Sequence, residues 1–386
     1  MSDAVALQPT RSVPIQAVLV AIPLAAALLG ILIRYLGYVT VAEDDSVSRF
    51  VSSMCRWDCE WYIALAERGY DGFPTPKMLN AGNWAFFPFY PMMVAALRAI
   101  TGLQTIVAAT GLSILLSIAA ARVAWPLLGR DLRAYTLFSV FLLAGPFSFY
   151  FTTFFTEVLF LFLTVCVFAA LRKRQFLLAG VLAGLLSATR IVGVFIVFAI
   201  LWEMWRVHRE SGGNWRDVVP AIVRKPDWLL ALAVAPIGLF AYMFYLNLLV
   251  GDALAFGHVQ RAWGRPTGLP PVFIWNALLS MPQGTWTPTP SQQLALATLT
   301  GYGLIVALIL RKRFDMAIYA AIALTLPLFA GMASMLRFVA GLAPMPLMLS
   351  ELLAKNRWLF AISLLVFLAG GYGVTIAWLN GVISLV

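Results

Sequence analysis

Charge is scarce in this sequence. Only 11% of its 386 residues are Asp, Glu, Lys or Arg, against 62% hydrophobic, and the mean hydropathy is +0.88. A chain so poor in polar side chains cannot clothe a water-soluble core, which excludes an ordinary soluble domain. Also missing are the ~10-residue alternating segments of membrane strands, so whatever crosses a bilayer here is helix. The three cysteines are too few for a disulfide framework. Cys166 lies in an apolar run. Cys55 and Cys59 lack a nearby histidine and the spacing of a zinc site, and they read as packing residues, a bridge between them being the lesser alternative. The histidines number two, His208 and His258. No internal repeat or low-complexity tract is visible.

What the sequence does have is apolar runs of bilayer length, ~20 residues as helix, from Pro14 to the C-terminus. This is the pattern of an all-α polytopic membrane protein. The first run, Pro14 to about Ile33, exceeds a signal peptide's apolar core and reads as a signal anchor. The net charge of +10 does not imply nucleic acid. Thirteen of the 27 basic residues fall in four short stretches, Arg172–Arg174, Arg206–Lys225, Arg311–Arg313 and Lys355–Arg357. Such clusters mark cytoplasmic loops lying on anionic lipid.

Counting back from a last span at 357–380, the spans 337–352, 315–332, 293–310 and 227–250 alternate in direction. Residues 175–205 must then leave and re-enter the basic side, as two short helices meeting near "SATRIVG" with Arg190 at a buried turn. Thr156 and Glu157 fall at the outer mouth of the span that ends at Arg172. Further forward, "NWAFFPFYPMMVAALRAITG" is the candidate for a re-entrant or interfacial segment, its prolines breaking the first turn. The total comes to about eleven spans in one transmembrane domain. The 206–226 stretch reads as a plain polar loop.

Two external segments are too long for connectors, 39–83 and 251–292. The first carries seven acids against four bases. Within it, "RWDCEWYIALAERGY" reads as an amphipathic helix stopped by Gly69. Trp57, Trp61 and Leu65 form a face for the headgroup layer, and Asp58 with Tyr62 point toward the bundle. The run Glu43, Asp44, Asp45 is a solvated acidic turn or, less favourably, a divalent-cation site. His208 and His258 fall on opposite sides, so they share no metal.

Each ionised side chain at membrane depth costs ~2.5–3.5 kcal/mol on insertion scales and asks for a partner or a task. Asp58, Glu157, Arg190 and Arg337 all map to the external side, with Arg261 and Arg265 in the second external loop. Ion pairing between helices accounts for any one of them. Together they describe a pocket for a phosphate-bearing amphiphile. Glycosyl transfer from a polyprenyl phosphate sugar needs a carboxylate to take the proton of the attacking hydroxyl and arginines to hold the departing phosphate. Asp58 fits the first role and Arg190, Arg265 or Arg337 the second. Trp57, Trp61 and Tyr62 would shape the entrance, while His258 and its neighbour Gln260 either pack the loop or hydrogen-bond sugar or phosphate. No metal or other cofactor is required, since fixed arginines can neutralise one phosphate. The rival reading is a membrane transporter or lipid flippase, which predicts paired broken helices in two repeated halves. The sequence offers one, at Arg190.

In order and spacing, "RWDCEWYIALAERGY", "AFFPFYP", "GPFSFYFTTFFTEVLF", "SATRIVG", "GDALAFGHVQRAWGR" and "SMLRFVAGLAPMP" resemble the PIG-V family of mannosyltransferases over roughly residues 50–350. The resemblance implies a GT-C glycosyltransferase fold and an inverting mannosyltransferase. It also implies a polyprenyl phosphate sugar donor and a lipid-linked or glycan acceptor. The family's catalytic aspartate falls on Asp58, the glutamate of its Y-S-E-like motif on Glu157, and the arginine after A-T on Arg190. Trp61 stands where eukaryotic members carry histidine, and "FTE" replaces Y-S-E. These departures and the short loops point to a prokaryotic relative in a bacterial plasma membrane, its site on the extracytoplasmic side.

Overall fold

The computed structural model describes residues 14–42, 45–74, 81–280 and 288–382. Among these there is no β-strand. Six helices are long and apolar enough to cross a membrane, or seven when the bent pair Met335–Gly341 and Pro344–Leu353 counts as one. The six are Ile15–Ala42, Thr105–Ala124, Ile191–Glu210, Pro226–Val250, Pro290–Leu310 and Arg357–Leu379. Shorter apolar helices run from Phe89–Thr101, Leu132–Leu143, Phe176–Ser187 and Phe314–Leu328. The polytopic all-α architecture is therefore the one adopted; the figure of about eleven counts short helices as spans.

Local chemistry sets the helix ends. Asp131 starts Leu132–Leu143 by accepting from the Arg133 and Ala134 amides, and Asn356 starts Arg357–Leu379 by accepting from those of Trp358 and Leu359. Thr289 and Gln292 form a capping box at the head of Pro290–Leu310. Gly69 ends Asp58–Arg68 where the reading placed the stop. The 176–210 region is broken as expected: Phe176–Ser187 stops, Arg190 sits in extended backbone, and a 3-10 turn, Ile191–Ile196, leads into Val197–Glu210.

Four expectations need correction. Residues 337–352 do not form a straight span, because the chain bends by 70° between Gly341 and Pro344. Pro88 and Pro91 do not break their helix. They occupy the N-cap and first turn of Phe89–Thr101, where an amide without a proton loses no helical bond. The 206–226 stretch is not a plain loop but carries a short helix, Val218–Arg224, with Trp215, Val219 and Val223 exposed. Cys55 and Cys59 form a disulfide across the non-helical turn that holds Trp57, their α-carbons 5.3 Å apart.

The segment before Glu157 is irregular and buried, so its backbone polar groups need partners inside the protein. Ser113 Oγ donates to the Thr153 carbonyl (2.6 Å) and Ser117 Oγ to the Phe151 carbonyl (2.7 Å). Arg34 Nη1 donates to the Leu143 carbonyl (2.9 Å) and to Ser148 Oγ (2.8 Å). This buried cation, inside Ile15–Ala42, satisfies the open end of a neighbouring helix. It reaches that carbonyl because Gly30, one turn earlier, lets the two backbones touch: a Cβ there would lie 1.8 Å from the same oxygen.

Helix Glu157–Arg172 has 16 residues and so spans ~24 Å. At its basic end Arg172 pairs with Asp315, Arg174 with Glu210, and Arg313 with Glu351. Three of the four basic stretches thus gather at one end of the bundle, opposite Glu157. Gly30→Ala is expected to cost ~1–3 kcal/mol through forced displacement of the Leu143 carbonyl. Gly111→Ala, where a Cβ meets open space, should leave the thermal midpoint of the detergent-solubilised protein unchanged or raised.

Candidate active site

Four elements converge at the end of the bundle away from the basic stretches. Helix Asp58–Arg68 places Asp58 in its first turn, and Glu157 opens its own helix. Arg190 comes from the break after Ser187, and Arg337 from the short helix Met335–Gly341. Glu157 is wholly buried, and its Oε1 accepts from Arg190 Nη1 (2.8 Å), Arg337 Nε (2.8 Å) and Arg337 Nη2 (2.7 Å). Arg337 uses its remaining arm, Nη1, on Asp58 Oδ2 at 2.5 Å. One guanidinium therefore ties two carboxylates that lie 99 residues apart in the chain. Only a planar fork with separate donor directions can do this; a lysine could not.

Aromatic faces back both cations. Arg190 stands 4.7 Å from the centroid of Phe338, and Arg337 stands 5.1 Å from Phe155 and 5.7 Å from Tyr150. Tyr62 is buried against the acids, its hydroxyl 3.1 Å from Thr156 Oγ1. Burial, with Asp58 and Glu157 adding to it, holds the phenol well above its usual range, so it acts as a neutral hydrogen-bonding group.

Arg265 completes the set from the 251–292 segment. It donates to the Ala333 carbonyl (3.2 Å) and is 3.5 Å from Ser334 Oγ, and no carboxylate pairs with it among the described residues. Burial lowers its proton affinity; Asp58 opposes that shift, while Arg337 and Arg190 add to it. Three guanidiniums thus face two carboxylates, leaving an excess positive charge at Arg265.

The backbone is unusual on both sides. Trp57, immediately before Asp58, has φ 52°, and Ser334, before Met335–Gly341, has φ 67°. Left-handed conformations cost a non-glycine residue ~1–3 kcal/mol and persist where surrounding structure enforces them. At Trp57 that structure is the Cys55–Cys59 disulfide, which closes the turn containing Trp57 and Asp58.

Other sequence-named residues fall differently. Leu65 is buried, so it does not belong to a headgroup face. Trp57 packs on Trp378 (4.6 Å), and Trp61 stacks on Phe86 (5.6 Å) and meets Trp263 edge-on (6.0 Å). His258 does not join the arginines: its Nδ1 is 2.7 Å from Asp252 Oδ2 on an exposed face. Gln260 is half-buried in the 3-10 turn Val259–Trp263. Glu43 and Asp44 lie outside the described residues, and the Asp45 carbonyl accepts from Tyr35. Arg34 was missed, although a lone arginine within a 28-residue apolar helix is itself a signal.

No protein-family model matches the chain. It is 26% identical over 223 residues to GPI alpha-1,6-mannosyltransferase 2 of Cricetulus griseus, a match covering 52% of this chain and 42% of that protein. A crystal structure of the Archaeoglobus fulgidus oligosaccharyltransferase, tethered to an acceptor peptide, superposes with a TM-score of 0.50 at 16% identity. That superposition covers 95% of this chain and 55% of the other. A second structure of the archaeal enzyme, with an inhibitory peptide and a dolichol-phosphate, gives 0.49 at 14% identity, covering 95% and 56%. The chain shares the fold of this oligosaccharyltransferase, and part of its sequence is similar to the mannosyltransferase. It spans about half the length or less of these relatives.

A second break does exist, between Gly341 and Pro344, where the sequence showed only the one at Arg190. The two breaks deliver Arg190 and Arg337 to the same carboxylate.

Two outcomes follow. Arg337→Met strands a buried carboxylate and should cost ~3–5 kcal/mol, whereas combining it with Glu157→Gln should cost less than the two single changes together; thermal unfolding of the four proteins reads the difference. Alkylation of denatured, unreduced protein should modify Cys166 alone, and prior reduction should expose all three thiols to the mass spectrometer.

Proposed function

We propose that the protein is an inverting glycosyltransferase that moves a sugar, mannose being favoured, from a polyprenyl phosphate donor to a lipid-linked or glycan hydroxyl. The observation that carries this reading is Arg337 joining the Asp58 and Glu157 carboxylates while Arg265 stays without an acid. A polyprenyl phosphate sugar brings the anion such a site lacks. Arg265, with Arg190 beside it, would hold the phosphate.

Asp58 is 29% exposed at its side chain and is the carboxylate of the pair that an incoming hydroxyl can reach. It would take the hydroxyl's proton as the oxygen attacks the anomeric carbon from the face opposite the phosphate. The carbon–oxygen bond to phosphate breaks with its electron pair leaving on that oxygen, where guanidiniums stabilise the charge. The products are the inverted glycoside and polyprenyl phosphate. Glu157, wholly buried, is a positioning residue: it orients Arg190 and Arg337.

The reading places the site on the extracytoplasmic face of a plasma membrane. Two observations support that side. The basic helix ends gather at the opposite pole, and the Cys55–Cys59 bridge beside Asp58 suits an oxidising compartment.

The test is transfer of label from radiolabelled polyprenyl phosphate mannose to a lipid extract of the source by purified protein. Asp58→Asn should lower the rate by ~10²–10⁴ with donor binding retained, and Arg265→Ala should act chiefly on donor KM. Full-rate transfer by Asp58→Asn would refute the proposed base.

A further inference from the structure

A second feature lies across an aromatic wall from Asp58. Residues Gly72–Pro74 of the first external segment and Val250–Val259 of the second enclose an open cleft of about 230 Å³. Its floor is Trp84, whose ring is fixed by a 2.7 Å bond from Nε1 to the Asp71 carbonyl. Phe73 stands at its edge, 75% exposed. The polar wall is the Asp252–His258 pair, 2.7 Å apart with both side chains solvent-accessible. The His258 hydrogen bond, foremost, and the Leu254 amide hold the Asp252 carboxyl below its usual range, so it is an ionised acceptor at neutral pH.

Aromatic surface beside a fixed carboxylate and an imidazole suits a pyranose: the ring's apolar C–H face lies on the exposed Phe73 ring above the buried Trp84, and its hydroxyls bond the acid and the ring nitrogen. The volume is below the ~300–1,000 Å³ of sites that enclose drug-sized ligands, which favours a single ring. Among the described residues, the cleft's lining holds no arginine or lysine for a phosphate. The turn Asn83–Ala85 separates it from the arginines: Trp84 faces the cleft, while Phe86, two residues on, stacks on Trp61, one turn along the helix from Asp58.

We propose that this cleft is a remote subsite for a hexopyranose unit of the acceptor, one sugar or more away from the reacting hydroxyl. The inference rests on the glycosyltransferase reading above for the word acceptor, but not for the binding itself. Such a subsite supplies binding energy at a distance from the chemistry, so it selects glycan-bearing acceptors over bare lipid alcohols.

The experiment is saturation-transfer NMR of methyl α-mannopyranoside with the full chain in phosphatidylcholine–phosphatidylglycerol nanodiscs. It compares the wild type, Asp252→Asn/His258→Ala, Phe73→Ala and Asp58→Asn. The wild type and Asp58→Asn should bind alike. The double variant should weaken binding about 10- to 100-fold, the loss expected for hydrogen bonds to a charged group, and Phe73→Ala should weaken it less. Absence of binding to the wild type, equal binding by the double variant with an unchanged melting point, or loss confined to Asp58→Asn would each overturn the proposal; the last would put the sugar at the arginines. Binding that persists in a protein unable to transfer label would keep the subsite and remove the proposed activity instead.

Discussion

The structure turns on one guanidinium. Arg337 is the point at which the helix of Asp58, the helix of Glu157 and the bent pair near the C-terminus meet, through bonds of 2.5, 2.8 and 2.7 Å. Glu157 is too deeply buried to carry its charge alone, and Arg337 is too deeply buried to carry its own. Each makes the other tolerable, and Arg190 adds a second cation to the same oxygen. Such a network is demanding: it assembles only when four stretches of chain arrive together. A site built this way is ordered before any ligand comes, which is the condition under which fixed charges act most strongly on a reacting group.

Much of this was legible because polarity is so rare in the chain. Asp58, Glu157, Arg190 and Arg337 stood out as charges in apolar surroundings, and the cost of placing them there was reason enough to expect them together. The break at Arg190 could be read from the parity of basic clusters. What could not be read were features set by backbone approach. The bend at Leu342–Ala343 is the exception: Gly341 and Pro344 flank it and signal a break that the span reading passed over. The Cys55–Cys59 bridge depends on a turn with Trp57 at positive φ, a conformation no residue there announces. His258 and Asp252 are near neighbours in the chain, yet which side of the aromatic wall they face is decided by how the 39–83 and 251–292 segments pack.

Buried backbone accounts for a second group of residues. The segment between Leu143 and Glu157 is helical only over Phe149–Thr152, so its carbonyls must be answered from outside it. Ser113, Ser117 and Arg34 do this, and they hold Glu157 in place without touching it. Small hydroxyls and one lone arginine in otherwise apolar helices are thus part of the support of the site.

The length of the Glu157–Arg172 helix has a consequence for the depth of the site. At ~24 Å it falls short of a hydrocarbon layer ~30 Å deep. Most of its residues are buried among other helices, so no lipid has to bend to its ends. With its arginine end at one face, its glutamate end stops inside the protein, and whatever meets the guanidiniums must come down to them through a wall of side chains.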